Sequence, residues 1–531
     1  VLLVSSCNYL DVSDQLAGGL QNTDEVFENV SYTKRWYASI FTGIPDYSGL
    51  NSTNVNGFKN PWASICDELV TGYGNASKYN NSDKNATNVS FHRYGDCYKA
   101  IRQANIFLQK AHVITAGGTQ GDELLEPELK RYQANARFMR AFYHYLLFEQ
   151  YGPIIIVGDK VYEATESQDM SRNSVDEVVE YLDKELLASA DELSQEPIID
   201  ENYRAEPTKG VALAVRAKMW VYAASPLLNG GFNEALNIAN PDGKKLFPIA
   251  DAAKWERARQ ACADFINYAN ENNRYELYYA APEKNGVVNP EKSVYELFQK
   301  YTKEIIWATA TADWGGLDGD AFDRRIVPRT EQNGLGSTGV TQELVDAFYM
   351  NDGLPIRGTT YLPASPQYTE EGMSTYTETN VDPIKGGKEY TPVNVSNRFI
   401  NREARFYNTV FFNERQWPVT CNTIQFYNGG NAGQQNGQYT QTGYMLFKRF
   451  NRRISKTSPG VSSRYRPSII FRLADFYLLY AEAANEVNPN DPVVLEYLNK
   501  VRHRAGLTTK IEELNPVIKG NKELQLSLIH I

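Results

Sequence analysis

Apolar residues spaced alternately three and four apart mark two consecutive helices. Cys97, Ile101, Ala104, Leu108 and Ala111 share one face, and Leu129, Tyr132, Ala136, Met139, Tyr143 and Leu146 share another. Gly152-Pro153 ends the second, because proline lacks an amide hydrogen and disfavours helical geometry in the residue before it. The run Ile154-Ile155-Ile156-Val157 then reads as a strand. Residues 174–193 and 208–224 form a second pair, and Val211-Ala212-Leu213-Ala214-Val215 is apolar nearly all round and therefore internal. A further helix covers 252–270, while Thr23 and Asp24 offer an N-cap to a run reaching about Phe41. From about 271 to 465 periodicity fades and Gly, Asn, Pro and aromatic residues dominate, with one clear helix at 341–350. The helical pattern returns in the stripe Ile470, Leu473, Tyr477, Tyr480 and Ala484. After Asn488-Pro489-Asn490-Asp491-Pro492 it continues in Val494, Leu498, Val501 and Ala505.

This is a mainly α chain: a tetratricopeptide-like scaffold of helical hairpins with a large irregular, loop-rich insertion and a few short strands. Small residues at the crossings, such as Ala481, Ala483 and Ala484, suit close helix packing, although no strict repeat period is present. At 531 residues the chain exceeds what one hydrophobic core supports. The expected segments are a signal remnant, lipid anchor and spacer at 1–22, and a scaffold portion at 23–270 carrying a binding loop at 42–96. An irregular subdomain at 271–465 and a closing helical hairpin at 466–525 follow. Residues 526–531 read as a truncation scar foreign to the protein.

Charge narrows the function. With a net charge of −10, electrostatic repulsion opposes binding to nucleic acid or to anionic lipid. No run has the apolar length of a spanning helix. Val4-Ser5-Ser6-Cys7 instead has the small residues and preceding apolar position of a bacterial lipobox, which makes Cys7 the expected lipidation site and an exported, membrane-tethered body the expectation. The remaining cysteines, Cys66, Cys97, Cys262 and Cys421, lack metal-ligand spacing; they read as thiols, with a Cys66–Cys97 disulfide as the alternative.

Several motifs occur in order: Cys7; Arg137-Phe138-Met139-Arg140-Ala141-Phe142-Tyr143 running to Tyr151-Gly152-Pro153; Thr341-Gln342-Glu343-Leu344-Val345-Asp346-Ala347-Phe348 with Asn351-Asp352-Gly353; Asn401-Arg402-Glu403-Ala404-Arg405-Phe406. They continue with Arg466-Pro467-Ser468-Ile469-Ile470-Phe471-Arg472-Leu473-Ala474-Asp475-Phe476-Tyr477 and with Leu498-Asn499-Lys500-Val501-Arg502-His503-Arg504-Ala505-Gly506-Leu507. Over nearly its whole length the chain resembles the SusD/RagB family of nutrient-binding outer-membrane lipoproteins. The resemblance implies a non-catalytic protein that needs no cofactor. It also implies an oligosaccharide or polysaccharide ligand, a SusC-like TonB-dependent transporter as partner, attachment to the outer membrane through the lipid anchor, and sugar contacts made by loops.

Sugars present flat C–H faces and rings of hydroxyls, so a site needs aromatic platforms beside planar hydrogen-bonding groups. Two stretches among the 35 Tyr and 7 Trp supply them. One holds Tyr73, Tyr79 and Asn80. The other runs from Trp314, expected to be exposed beside Gly315 and Gly316, through Asp320 to Arg325. Trp417 and Tyr427 are weaker candidates. Asp318, Asp320 and Asp323 do not complete a calcium loop, so no metal is expected. Gly334-Leu335-Gly336-Ser337-Thr338-Gly339 lacks the preceding strand of a dinucleotide site. Arg472, Asp475, Glu482 and Glu486 are expected to brace the scaffold as ion pairs. Competing readings are a surface glycoside hydrolase, with a carboxylate pair among 64 acidic residues, and a peptide-binding helical scaffold.

Overall fold

The computed structural model describes residues 22–48, 66–71, 93–115, 123–163, 166, 169–283, 285–310, 312, 314–318, 321–331, 333–378, 389–434, 438–456 and 463–530. Two compact units divide the chain, one formed by Val1–Ile44 with Arg93–Tyr268, the other by Pro45–His92 with Ala269–Ile531.

In the first unit, helices form where apolar residues recur on one face. Helix α1 (Tyr94–Lys110) packs on α2 (Glu126–Tyr151), α2 on α3 (Val175–Glu192), and α3 on α4 (Lys209–Ala224). The stripe Leu129, Tyr132, Ala136, Met139, Tyr143 and Leu146 is buried, and α4 is buried on almost every face. Helix α3 begins in a complete capping box, in which the Ser174 hydroxyl accepts from the Glu177 amide and the Glu177 carboxylate accepts from the Ser174 amide at 2.8 Å. Upstream, Asn22 rather than Thr23 or Asp24 is the cap; its side chain accepts from the amides of Asp24 and Glu25, both at 3.0 Å. The run 154–157 is not a strand. Side chains satisfy its backbone instead: the Tyr98 hydroxyl donates to the Ile155 carbonyl at 2.8 Å and accepts from the Ile155 amide at 3.1 Å, and Asn173 accepts from Ile156. Helix α5 (Ala253–Asn270) follows in sequence.

Among the described residues, the second unit contains four two-stranded antiparallel sheets. They pair β1 (Leu69–Thr71) with β3 (Thr338–Val340), β2 (Ile305–Ala308) with β8 (Ile469–Arg472), β4 (Met373–Tyr376) with β5 (Val393–Ser396), and β6 (Val410–Phe411) with β7 (Met445–Leu446). Its helices include α6 (Pro290–Leu297), α7 (Leu473–Val487), α8 (Pro492–Arg504) and α9 (Lys522–His530), with α8 and α9 both packed on α7. Residues 526–530, expected to be foreign, continue α9, where Leu528 and Ile529 are buried. Gln525 donates to Asn485 at 2.8 Å, and Asn485 to the Lys522 carbonyl at 2.9 Å. Of the four charged residues expected to brace the scaffold, Arg472 reaches Glu304 at 3.1 Å, ahead of β2, and Glu486 reaches Lys522 at 2.7 Å. Among the described residues no helix is long and apolar enough to cross a membrane. The described residues are mostly helical, with 44% of them in helix and 9% in strand.

Candidate functional site

Trp314 does not project into solvent; the expected exposure is corrected by an indole only 2% exposed, inside the aromatic core of the second unit. Its Nε1 donates to the Arg466 carbonyl at 2.8 Å, Phe322 meets it edge-on at 5.0 Å, and the Arg466 guanidinium lies 4.6 Å from its centroid. Arg466 in turn donates to both oxygens of buried Asp323 at 2.8 Å. The two glycines that suggested exposure cause the reverse. Gly315 and Gly316 both adopt φ of +66°, a left-handed geometry open to glycine, so the chain turns tightly and the ring folds inward. Arg325, 5% exposed, presents no open guanidinium, and Trp417 is likewise buried, packed 4.8 Å from Phe450. Tyr427 is half exposed. Tyr73, Tyr79, Asn80, Asp320 and Cys7 lie outside the described residues.

Asp318 is paired with Lys456 at 2.5 Å and Asp323 with Arg466, so these carboxylates do not converge on a common point. Gly334 in the glycine-rich stretch is explained by packing, since a Cβ there would sit 2.3 Å from the carbonyl oxygens of Val327 and Pro328.

Beside this core lies a depression of about 370 Å³, within the range of small-molecule sites at roughly 300–1,000 Å³. Leu69 of β1, which precedes the Tyr73 stretch in sequence, and Phe322, which lies within the stretch from Trp314 to Arg325, both border it. Tyr47, Phe298 and Phe348 contribute rings, and Arg405, Lys448, Arg449, Arg472 and Arg504 contribute positive charge. These cations come from separate elements. Arg405 lies in the short helix Ala404–Thr409, Lys448 and Arg449 follow β7, Arg472 ends β8, and Arg504 ends α8.

Three of them have partners. Arg472 and Arg504 share buried Glu304, at 3.1 and 2.7 Å, and Arg405 grips Glu403 with two hydrogen bonds of 2.5 and 2.9 Å. Burial works against the Arg405 charge, but Glu403 overrides it and raises the pKa. Lys448 and Arg449 differ, because among the described residues neither has a carboxylate within ion-pair distance. Lys448 keeps water contact along the depression although protein walls surround it. That enclosure, with Arg472 and Arg449 nearby, brings its ammonium down to about 8. Enclosure and the charges of Arg472 and Arg466 lower Arg449 to about 10.

Two larger hollows have different chemistry. In the first unit, a space of about 900 Å³ is lined by α1, α2 and the end of α3; its Arg137 and Arg140 are paired with Glu192 and Glu185. In the second, a space of about 630 Å³ holds Tyr278, Tyr279, Tyr301 and Tyr477, but Lys300, Lys303 and Lys500 are each paired with a glutamate. Of these three, the smaller depression is the one where, among the described residues, lining cations lack a carboxylate within ion-pair distance. The signal missed in the sequence is Phe447-Lys448-Arg449-Phe450, a basic pair between two aromatic residues whose buried rings fix where the pair points.

Residues 303–530 match the SusD family model, and residues 38–221 match a model described as starch-binding associating with outer membrane. Among solved structures, the protein BT4246 is 22% identical with a TM-score of 0.70, covering 96% of this chain and 87% of its own. A SusD-like protein from Bacteroides fragilis is 19% identical with a TM-score of 0.63, covering 98% and 84%. A SusD-like carbohydrate binding protein from the same organism is 16% identical with a TM-score of 0.62, covering 95% and 85%. At such identities these likenesses show the fold alone. No curated protein matches the sequence.

Proposed function

The chain belongs to the SusD family of Bacteroidetes outer-membrane proteins, and we propose that it captures oligosaccharides in the depression beside β1. Family members are binding proteins without catalytic activity, and this chain is one of them. They act at the outer membrane with SusC-like transporters. In this reading the captured glycan passes to a TonB-dependent barrel of that kind, and acylation of Cys7, supported by the small residues before it, holds the protein at the cell surface.

The observation that carries the proposal is convergence. Leu69 and Tyr47, from the described part of the 42–96 segment, and Phe322, within the Trp314–Arg325 stretch, border one depression, and that depression combines half-buried rings at Tyr47 and Phe348 with planar guanidinium groups. Rings and planar donors are what a pyranose needs. Stacking and a few hydrogen bonds give modest affinity, about −4 to −8 kcal/mol, or millimolar to micromolar binding. Weak capture suits hand-off.

Isothermal titration against plant, host and microbial glycans tests this reading. Binding of at least one class, lost in Arg449→Ala and kept in Tyr279→Ala, is the expected outcome. Loss in Tyr279→Ala alone moves the site to the tyrosine-lined hollow, and failure of every class removes the glycan reading.

A further inference from the structure

Phe298 is ringed by cations: Lys448, Arg449 and Arg472 lie 5.3, 5.4 and 6.0 Å from its centroid. Its face is thus occupied by positive charge rather than free to stack on a sugar. Resting on the glycan reading of this depression, we propose that the ligand carries an oxyanion, a uronate carboxylate or a sulfate ester, seated between Lys448 and Arg449.

Four observations support this. First, Arg405, Arg472 and Arg504 have two carboxylates between them, Glu403 and Glu304, and Glu68 in the described lining is a third, so five cations face three anions and a local positive excess remains in a chain whose net charge is −10. Second, Arg449 uses one nitrogen for a long 3.5 Å contact to the Tyr47 carbonyl, so the rest of its donor fork remains for a planar oxyanion. Third, Arg449 holds φ at +68°, a conformation costly for a side chain with a Cβ and one that concentrates at ligand clamps. Fourth, two adjacent cations that have no carboxylate within ion-pair distance among the described residues repel each other, a cost that an anion bound between them relieves.

The test compares matched probes on the full chain: galacturonic acid trimer against galactose trimer, and a κ-carrageenan tetrasaccharide, which carries sulfate esters but no uronate, against its desulfated form. The acidic member of at least one pair should bind about tenfold more tightly, as expected for a charge-assisted contact. Preference within the first pair assigns a carboxylate, and within the second a sulfate. That preference should vanish in Lys448→Gln and in Arg449→Gln while surviving in Lys99→Gln, a surface lysine of α1. Circular dichroism of the Lys448→Gln protein checks folding, and its water-facing side chain makes an intact fold the expected result. Equal affinity for acidic and neutral members, or a preference that survives both substitutions, overturns the oxyanion assignment and leaves glycan capture standing. Absence of binding to all four probes and to the wider panel overturns the glycan reading itself, and the oxyanion assignment with it.

Discussion

At the scale of single residues, Trp314 shows how a side chain that looks like a ligand platform can be a core clamp. The indole is held by Phe322, Arg466 and its hydrogen bond to the Arg466 carbonyl. Trp314→Ala should cost about 3–5 kcal/mol of stability, readable as a fall in denaturant midpoint, whereas an exposed platform would lose affinity with no such fall. His144 offers a second residue-level test. It is fully buried, with Nδ1 at 2.8 Å from the Arg140 carbonyl, and burial depresses its pKa to about 4. Because the unfolded imidazole takes up a proton near 6.5, this group's contribution is present above that pH and is lost as pH falls toward 4; the whole effect is about 3 kcal/mol. Asp323, pushed up to about 6 by burial against the opposing pull of Arg466, acts in the opposite sense over part of that range. The His144 share is therefore read as the difference between the parent and His144→Gln in denaturation series from pH 7 to 4, and parallel curves would refute it. Arg449 shows what the sequence could not reveal. Nothing in its neighbours announces a left-handed φ, and its companions Arg472 and Arg504 come from distant parts of the chain.

At the scale of elements, legibility followed periodicity. Helices α1 to α4, α7 and α8 were readable because a buried stripe at three-and-four spacing is imposed by packing and repeats over several turns. The run 154–157 was misread because four apolar residues cannot distinguish a ladder from an extended segment held by side chains, and here Tyr98, Asn173 and His144 supply the partners. The strands of the second unit, two to four residues each, are too short to show alternation. The start of α3 carries a sharper signal, since Ser174 and Glu177 are spaced as a capping box and form one. Ser174→Ala should therefore cost about 1 kcal/mol, while Ser174→Asp should retain most of the stability; equal melting temperatures for parent and Ser174→Ala would show that tertiary packing alone sets this helix start.

At the scale of the whole molecule, net negative charge and a locally positive depression pull an acidic glycan in opposite directions, and the local term is the one that titrates. Lys448 faces Arg472 and Arg449, which favour loss of its proton, and Glu68 and Asp475, which oppose it; the balance with enclosure leaves it near 8. Arg449, near 10, keeps its charge throughout the neutral range. Raising pH from 7 to 9 should accordingly weaken binding of an acidic probe through Lys448 while leaving the Arg449 contact in place. A bound oxyanion favours the protonated ammonium, so its pKa must rise in the complex and binding near pH 8 must draw a fraction of a proton from solution. Titration calorimetry in two buffers of different ionisation enthalpy measures that uptake directly. It should be positive for the acidic probe, near zero for its neutral counterpart, and absent in Lys448→Gln. An acidic glycan that binds at pH 8 with no proton uptake in the parent protein would mean that its charged group sits elsewhere than against Lys448.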